Sequence, residues 1–286
     1  MIDFHTHPVQ IADLYESDPT FEHAVRDVFG LFMPPQPMAT YLGHLDEAGI
    51  DRAVILPIDC TTAHGCTVVS NAQVAALMER SDRLIGFASV DPSLPDAAET
   101  LRRDVREYGL VGLKLDPSLQ RFDVADPERA FPVYAAASEL GIPVLVHCGL
   151  SWARVGRSAL AHPLALEEVV HAFPSLRIVI AHLGWPWVAD AVMLAVKHRT
   201  VHLDTSVLYS GTPGEALRHT VETVIGRELF DRSLPEQVVF GSNYPRVDPK
   251  RAVWALRGLG LRPRLEQRIF HDNAVALLEP HREGSR

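Results

Sequence analysis

The sequence predicts a closed (β/α)8 TIM barrel, and three observations predict it. Eight short apolar runs recur along the 286 residues. Amphipathic segments of helical length separate them. Polar side chains punctuate the C-terminal ends of six of the runs. The runs are continuously apolar rather than alternating, as parallel strands covered by helices are. Eight such units favour a closed barrel over an open doubly wound sheet, and a single barrel commonly fills this length. No GxGxxG follows any run, so a dinucleotide fold has little support.

The strand candidates are residues 2–5, 53–57, 84–90, 111–115, 143–147, 178–182, 201–204 and 238–241. The intervening helices are expected at 38–48, 70–80, 95–108, 127–140, 163–173, 187–198, 214–226 and 249–256. Several begin at or beside a proline, which the first helical turn tolerates. Gly109 and Gly141 sit where a left-handed residue would end a helix. Residues 8–37 form an insertion after the first strand, with a helix expected over 21–32 and Met33-Pro34-Pro35-Gln36-Pro37 behind it. Insertions of this size at the catalytic end of a barrel are often lids or substrate walls. From Pro263 the chain reads as closing helices, with a frayed tail over 281–286. One domain spanning 1–286 is the expectation.

Hydrophobic content of 47% and charged content of 22% are globular values. A net charge of −9 and the lack of a basic stretch argue against nucleic acid as a partner. The first residues lack a basic start and an apolar run, so no leader is expected there. No apolar stretch is long enough to span a bilayer. The cysteines, Cys60, Cys66 and Cys148, are odd in number and scattered, which suggests free thiols in a reducing compartment and a cytoplasmic protein.

His5 and His7 are the most informative pair. A strand alternates its side chains between two faces, so the two imidazoles point the same way and make half a transition-metal site. Further along, Lys114 lies on the fourth strand with Asp116 after it. His147 ends the fifth, His182 the sixth and Asp204 the seventh, with Thr205 and Ser206 next. The eighth runs into Ser242-Asn243-Tyr244-Pro245-Arg246. Barrel strands present their C-terminal ends on one face, where catalytic residues collect. Six polar endings on independent strands are hard to explain by chance.

These segments resemble the amidohydrolase superfamily, in the order His5-x-His7, Gly112-Leu113-Lys114-Leu115, Pro143-Val144-Leu145-Val146-His147, Ile178-Val179-Ile180-Ala181-His182-Leu183-Gly184 and Phe240-Gly241-Ser242-Asn243-Tyr244-Pro245. The chain is most similar to the amidohydrolase-related branch, which holds aminocarboxymuconate semialdehyde and resorcylate-type decarboxylases and lactone hydrolases. Asp272-Asn273-Ala274 fits the ending usual in that branch. The resemblance implies one divalent metal ion, foremost Zn²⁺, on His5, His7 and His147, with the strand-8 residue Asn243 as a further ligand. It implies His182 as the catalytic acid or base, a small-molecule substrate and a homo-oligomer.

In the family the residue at Asn243 is normally an aspartate, which binds the metal and can take a proton from water. Asparagine keeps an acceptor oxygen but is neutral and cannot act as a general base. Three imidazoles would still hold Zn²⁺. Asp204 or Asp116 could supply the missing charge. A metal-free member of the lineage, or an aspartate replaced so as to trap substrate, are the other readings.

The remaining candidates have bland alternatives. Asp204 either belongs to the site or caps its loop. Lys114 either meets a substrate carboxylate or snorkels from the mouth. Trp185 either walls a flat substrate or packs in the core. Tyr244 and Arg246 are anion contacts or surface residues, and His64, in the loop after the second strand, is a substrate contact or an ordinary loop residue. Of 14 histidines, His23, His44, His162, His171, His198, His202, His219, His271 and His281 read as surface or packing residues. The leading expectation is a metal-dependent hydrolase of a small organic acid, lactone or amide. The alternatives are a non-oxidative decarboxylase and a degenerate barrel that only binds a ligand.

Overall fold

The computed structural model describes residues 1–206 and 211–279. The tail expected over 281–286, with His281, lies outside the described residues. Among the described residues ten strands occur, in the order β1 (Ile2–Thr6), β2 (Arg52–Ile55), β3 (Ile58–Cys60), β4 (Cys66–Val68), β5 (Leu84–Gly86), β6 (Leu113–Leu115), β7 (Val144–Val146), β8 (Ile178–Ile180), β9 (Val201–Asp204) and β10 (Val238–Val239). The eight apart from the β3–β4 hairpin lie where the apolar runs are. They pair in parallel as β1-β2-β5 and β10-β9-β8-β7-β6.

Backbone hydrogen bonds stitch both seams between these sheets. Val111 N–H donates to the Gly86 carbonyl (2.9 Å), and Ala88 N–H to that of Gly112 (2.7 Å). On the other side Phe4 N–H reaches Phe240 O (2.8 Å), Asn243 N–H reaches His5 O (2.8 Å) and His7 N–H reaches Tyr244 O (2.7 Å). The eight parallel strands therefore form the ring of a (β/α)8 barrel.

Alternate residues of each strand divide into two apolar layers. Phe4, Val54, Leu56, Ile85, Phe87, Leu145, Val179 and Val239 pack with one another inside the ring. Their neighbours in sequence, such as Val144, Val146, Ile178 and Ile180, join the helices outside, as do Leu113 and Leu115 on either side of Lys114. Ala274 and Leu277 of the closing helix Asn273–Leu278 belong to the inner layer, so this helix plugs the barrel floor. Asn273 fastens it, its side-chain amide donating to Val238 O (2.7 Å) and Pro235 O (3.0 Å).

One irregularity matters for the site. Asp3 pairs with Ala53 and Thr6 with Ile55, so three steps along β1 match two along β2. A bulge of this kind re-aims side chains. With Phe4 inside the ring, strict alternation would turn His5 and His7 outward. The shift between Asp3 and Thr6 brings both imidazoles inward, while the Thr6 hydroxyl bonds outward to Tyr41 (3.0 Å).

Most helices lie where expected, with ends trimmed by a few residues, for example Ala97–Tyr108 and Ala130–Leu140. Both end on glycines at φ +65°, the left-handed conformation that glycine adopts without a Cβ clash. The helix expected over 21–32 is shorter. It runs through Phe21–His23 and a π-helical turn, Ala24–Val28, before Gly30 at φ +74° breaks it. Phe32 is left 73% exposed rather than packed on a helical face. The hairpin and the turn Pro117–Gln120 were not anticipated. Their apolar residues are too few to show a period.

No helix among the described residues is long and apolar enough to cross a membrane. All three cysteines are free and buried.

Phe4 is fully buried and meets Phe87 edge-on, with ring centroids 5.6 Å apart. Phe4→Ala should lower the unfolding free energy by about 3–5 kcal/mol in urea denaturation. A loss under about 1 kcal/mol would mean that the inner layer does not carry the barrel.

Candidate functional site

The ends of β1, β6, β7, β8, β9 and β10 bring their polar side chains to one buried place. Asp204, with no exposed surface, lies beneath it. One carboxylate oxygen accepts a hydrogen bond from His5 Nδ1–H at 2.8 Å. The other accepts from the backbone N–H groups of His182 and Ser206, both at 2.9 Å, and from the Ser206 hydroxyl. The Ser206 oxygen in turn stands 2.7 Å from His182 Nδ1. A hydroxyl has one proton to give, and Asp204 takes it, so His182 Nδ1 is the donor in that contact.

Hydrogen bonding sets the other tautomers as well. His7 Nδ1 faces the Leu56 carbonyl at 2.8 Å, which can only accept. Burial pushes His5, His7 and His182 well below the ordinary imidazole range, and burial also lowers His147. The rings are neutral, and with Nδ1 protonated both His5 and His7 carry bare Nε2 lone pairs. These two atoms face each other at 3.1 Å. His147 Nδ1 lies 3.1 Å from His182 Nε2, and its own Nε2 is buried with no hydrogen-bond partner.

Opposed lone pairs and an orphaned imidazole nitrogen are what a metal cation would satisfy, so the donor set fits a divalent ion. One ligand atom each from His5, His182 and Asp204 lie within 4.8 Å of one another. This group differs from the expected triad of His5, His7 and His147. His7 extends it from His5, and His147 extends it from His182. The cause is Asp204, which draws the His5 ring and the His182 backbone onto one carboxylate.

Asn243 is buried and adopts φ +60°. Asparagine tolerates this left-handed conformation better than most residues. Its backbone is tied on both sides, donating to His5 O (2.8 Å) and accepting from Arg246 N–H (2.9 Å). Two residues before it, Gly241 is needed for close approach. A Cβ there would come within 2.8 Å of the His5 Cβ. Asp3 accepts from His5 N–H (3.1 Å) and Ser242 N–H (2.9 Å), and burial raises its carboxyl to about 7.

A cavity opens onto these groups, lined among others by His7, Lys114, Asp116, His147, His182, Asn243 and Arg246. Lys114 is 1% exposed, so it does not snorkel outward. Burial lowers its ammonium, against the opposing pull of Asp116 and Asp204. The insertion closes one side. The Phe29 ring lies tilted against His7, with centroids 5.1 Å apart, and the Arg246 guanidinium sits 4.5 Å over Phe29 while donating to its carbonyl. Ser151, Trp152 and Ala153 from the loop after β7 form the other side.

Three expected contacts are not part of this lining. Tyr244 packs on Tyr41, with centroids 4.9 Å apart, and its hydroxyl donates to Gln10 (3.1 Å). The half-buried Trp185 follows the left-handed turn at His182 and Leu183, and its carbonyl accepts from Leu150 N–H (3.0 Å). His64 ends the turn Thr61–His64, and Leu119 rather than His64 is among the residues that line the cavity. Phe29 and Trp152 escaped sequence reasoning. Phe29 lies in an insertion that no strand pattern orients, and Trp152 in a loop with no periodic signal. Ser206 was noted only as a neighbour of Asp204.

Fold and site together define a barrel whose mouth is a ring of buried histidines on an aspartate. The chain belongs to the amidohydrolase family, whose model matches residues 2–279. An uncharacterized TIM-barrel protein from Bordetella bronchiseptica is similar in structure, with 22% identity, 97% and 98% of the two chains covered and a TM-score of 0.74. A proposed 2-pyrone-4,6-dicarboxylic acid hydrolase from Pseudomonas putida has 22% identity, 99% and 98% coverage and a TM-score of 0.69. The 5-carboxyvanillate decarboxylase from Sphingomonas paucimobilis has 20% identity, 98% and 99% coverage and a TM-score of 0.65.

Asp204→Ala would strand the donors of His5, His182 and Ser206. Each buried donor left unpaired costs about 1–3 kcal/mol, so the variant should lose at least about 3 kcal/mol in chemical denaturation. A near-neutral result would show that this carboxylate does not set the histidine tautomers.

Proposed function

We propose that the protein is a metal-dependent hydrolase acting on a small anionic lactone, amide or ester. The observation that carries this reading is the protonation state of His182. Its Nδ1 proton is committed to Ser206, and Ser206 to Asp204, so Nε2 holds a lone pair. Burial keeps the ring neutral. A neutral imidazole that keeps its Nε2 lone pair, here facing His147 Nδ1 at 3.1 Å, is a proton acceptor, the group needed to take a proton from an attacking water. The Asp204–Ser206 pair orients the ring and stabilises the imidazolium that results. The proton is then available at Nε2 for the leaving group.

His5, His7 and His147 would hold one divalent ion through Nε2, with Asn243 Oδ1 within the same mouth. Zn²⁺ suits three imidazoles best. Such an ion acts as a Lewis acid on a carbonyl and lowers the pKa of water. Lys114 and Arg246 bring two cations to a cavity whose lining includes one carboxylate, Asp116, which supports an anionic substrate. Phe29 and Trp152 would shield the bound molecule from bulk water.

A second reading rests on Asn243. Non-oxidative decarboxylation needs a proton delivered to carbon and no activated water, so a neutral residue at the end of β10 harms it less. The structural likeness to a decarboxylase as well as to a proposed pyrone hydrolase supports keeping it.

Two variants separate the readings. In a hydrolase, Asn243→Asp should tighten metal binding and raise turnover on lactones, because the added carboxylate brings charge and a proton acceptor. In a decarboxylase the same change raises metal affinity and leaves CO₂ release from hydroxybenzoates nearly unchanged. Unchanged metal affinity would remove position 243 from the metal's surroundings altogether. His182→Asn should lower turnover about 10²–10⁴-fold at unaltered metal content, since general acid–base catalysis contributes on that scale. Metal content is read by elemental analysis. A fully active His182→Asn would refute both chemistries.

A further inference from the structure

Far from the mouth, two neighbouring barrel helices end side by side. The helix Leu166–Ala172 leads into β8, and Val188–Lys197 leads into β9. Their C-termini therefore lie toward the barrel floor, opposite the histidine ring. His171 follows Glu167 by four residues, so the two share a helix face. His198 caps the second helix, its backbone N–H on Leu194 O at 2.8 Å. Its Nε2 stands 3.6 Å from Glu167 Oε1, too long for a hydrogen bond, and is buried with no hydrogen-bond partner. The His171 ring meets it edge-on, with centroids 5.5 Å apart and planes at 89°. One ligand atom from each of the three residues lies within 4.8 Å of the other two.

We propose that Glu167, His171 and His198 form a second metal site, one that takes a divalent transition ion such as Zn²⁺ and staples the two helices together. Two imidazoles and a carboxylate are a zinc donor set, with ligand bonds of about 2.0–2.2 Å. At a tetrahedral angle such bonds place ligand atoms about 3.4 Å apart, close to the 3.6 Å between His198 and Glu167. Two helix C-termini add their negative dipole ends, which favour a cation. His171 is exposed, so ions have access and a water can complete the coordination. Lys197 competes, its ammonium 2.6 Å from Glu167 Oε1. It is 53% exposed on a flexible stem, so a metal displaces it without opening the core. Sequence reading had placed His171 and His198 among packing and surface residues, because the partner of each lies on another helix or one turn away.

The test is equilibrium dialysis of the chelator-stripped full-length chain against Zn²⁺, with bound zinc counted per chain. Wild type should bind one equivalent more than His171→Ala and one more than Glu167→Gln. Turnover of the metal-replete His171→Ala should equal that of wild type. Lys197→Ala, which frees Glu167, should bind the same extra equivalent at lower free zinc. Zinc held at the barrel mouth is common to all these proteins and cancels, so the outcome is independent of the catalytic metal. His171 is on the surface, and circular dichroism checks that its variant is folded. Equal stoichiometry in wild type and both ligand variants overturns the site.

Discussion

The architecture of the mouth depends on one buried carboxylate. Asp204 holds the ring of His5 and the backbone of His182, and reaches the His182 ring through Ser206. These bonds join the ends of β1, β8 and β9, which are remote in sequence. An isolated carboxylate in such a place would be costly. Four donors converging on it offset that cost. They also fix the Nδ1 protons of His5 and, through Ser206, of His182. His5, His7 and His182 give their Nδ1 protons to Asp204, Leu56 and Ser206, and their lone pairs remain at the mouth. The chemistry follows from this polarity more than from the number of histidines.

The charge balance around the cavity has a related logic. Four imidazoles are neutral through burial, which leaves Lys114 and Arg246 as the cations facing the opening. Lys114 is buried beside carboxylates rather than free in water, so its charge is poorly screened and acts over the whole cavity. Arg246 is held against Phe29, and thereby couples the insertion to the strand that carries Asn243.

Much of the barrel was legible in the sequence because burial on both strand faces leaves a continuous apolar run, and burial of the site leaves a polar residue at the end of that run. His147, His182 and Asp204 could be read this way. His5 and His7 could be paired by period, but their inward direction could not be read. It depends on a bulge in β1 that only the pairing with β2 reveals. The linkage of Asp204 to Ser206 and His182 was illegible for a similar reason. Position in sequence says which side chains are near the mouth, whereas hydrogen-bond partners depend on how strands are staggered. Tyr244, Trp185 and His64 were over-read, since a polar or aromatic residue next to a motif is as easily part of its support. Phe29 and Trp152 come from segments without periodicity, and loop conformation has no pattern to read.

The left-handed backbone at Asn243 has a consequence for how such a site can change over time. The conformation admits glycine, asparagine and aspartate with little strain and penalises branched or bulky side chains. Asparagine and aspartate are nearly identical in shape and differ by a single base in their codons. Exchange between them is therefore conformationally silent: His5, Arg246 and the β10 turn keep the same backbone bonds. A lineage can gain or lose a negative charge at the heart of the mouth without disturbing the fold. This slot is a neutral corridor along which chemistry can drift while architecture stands still.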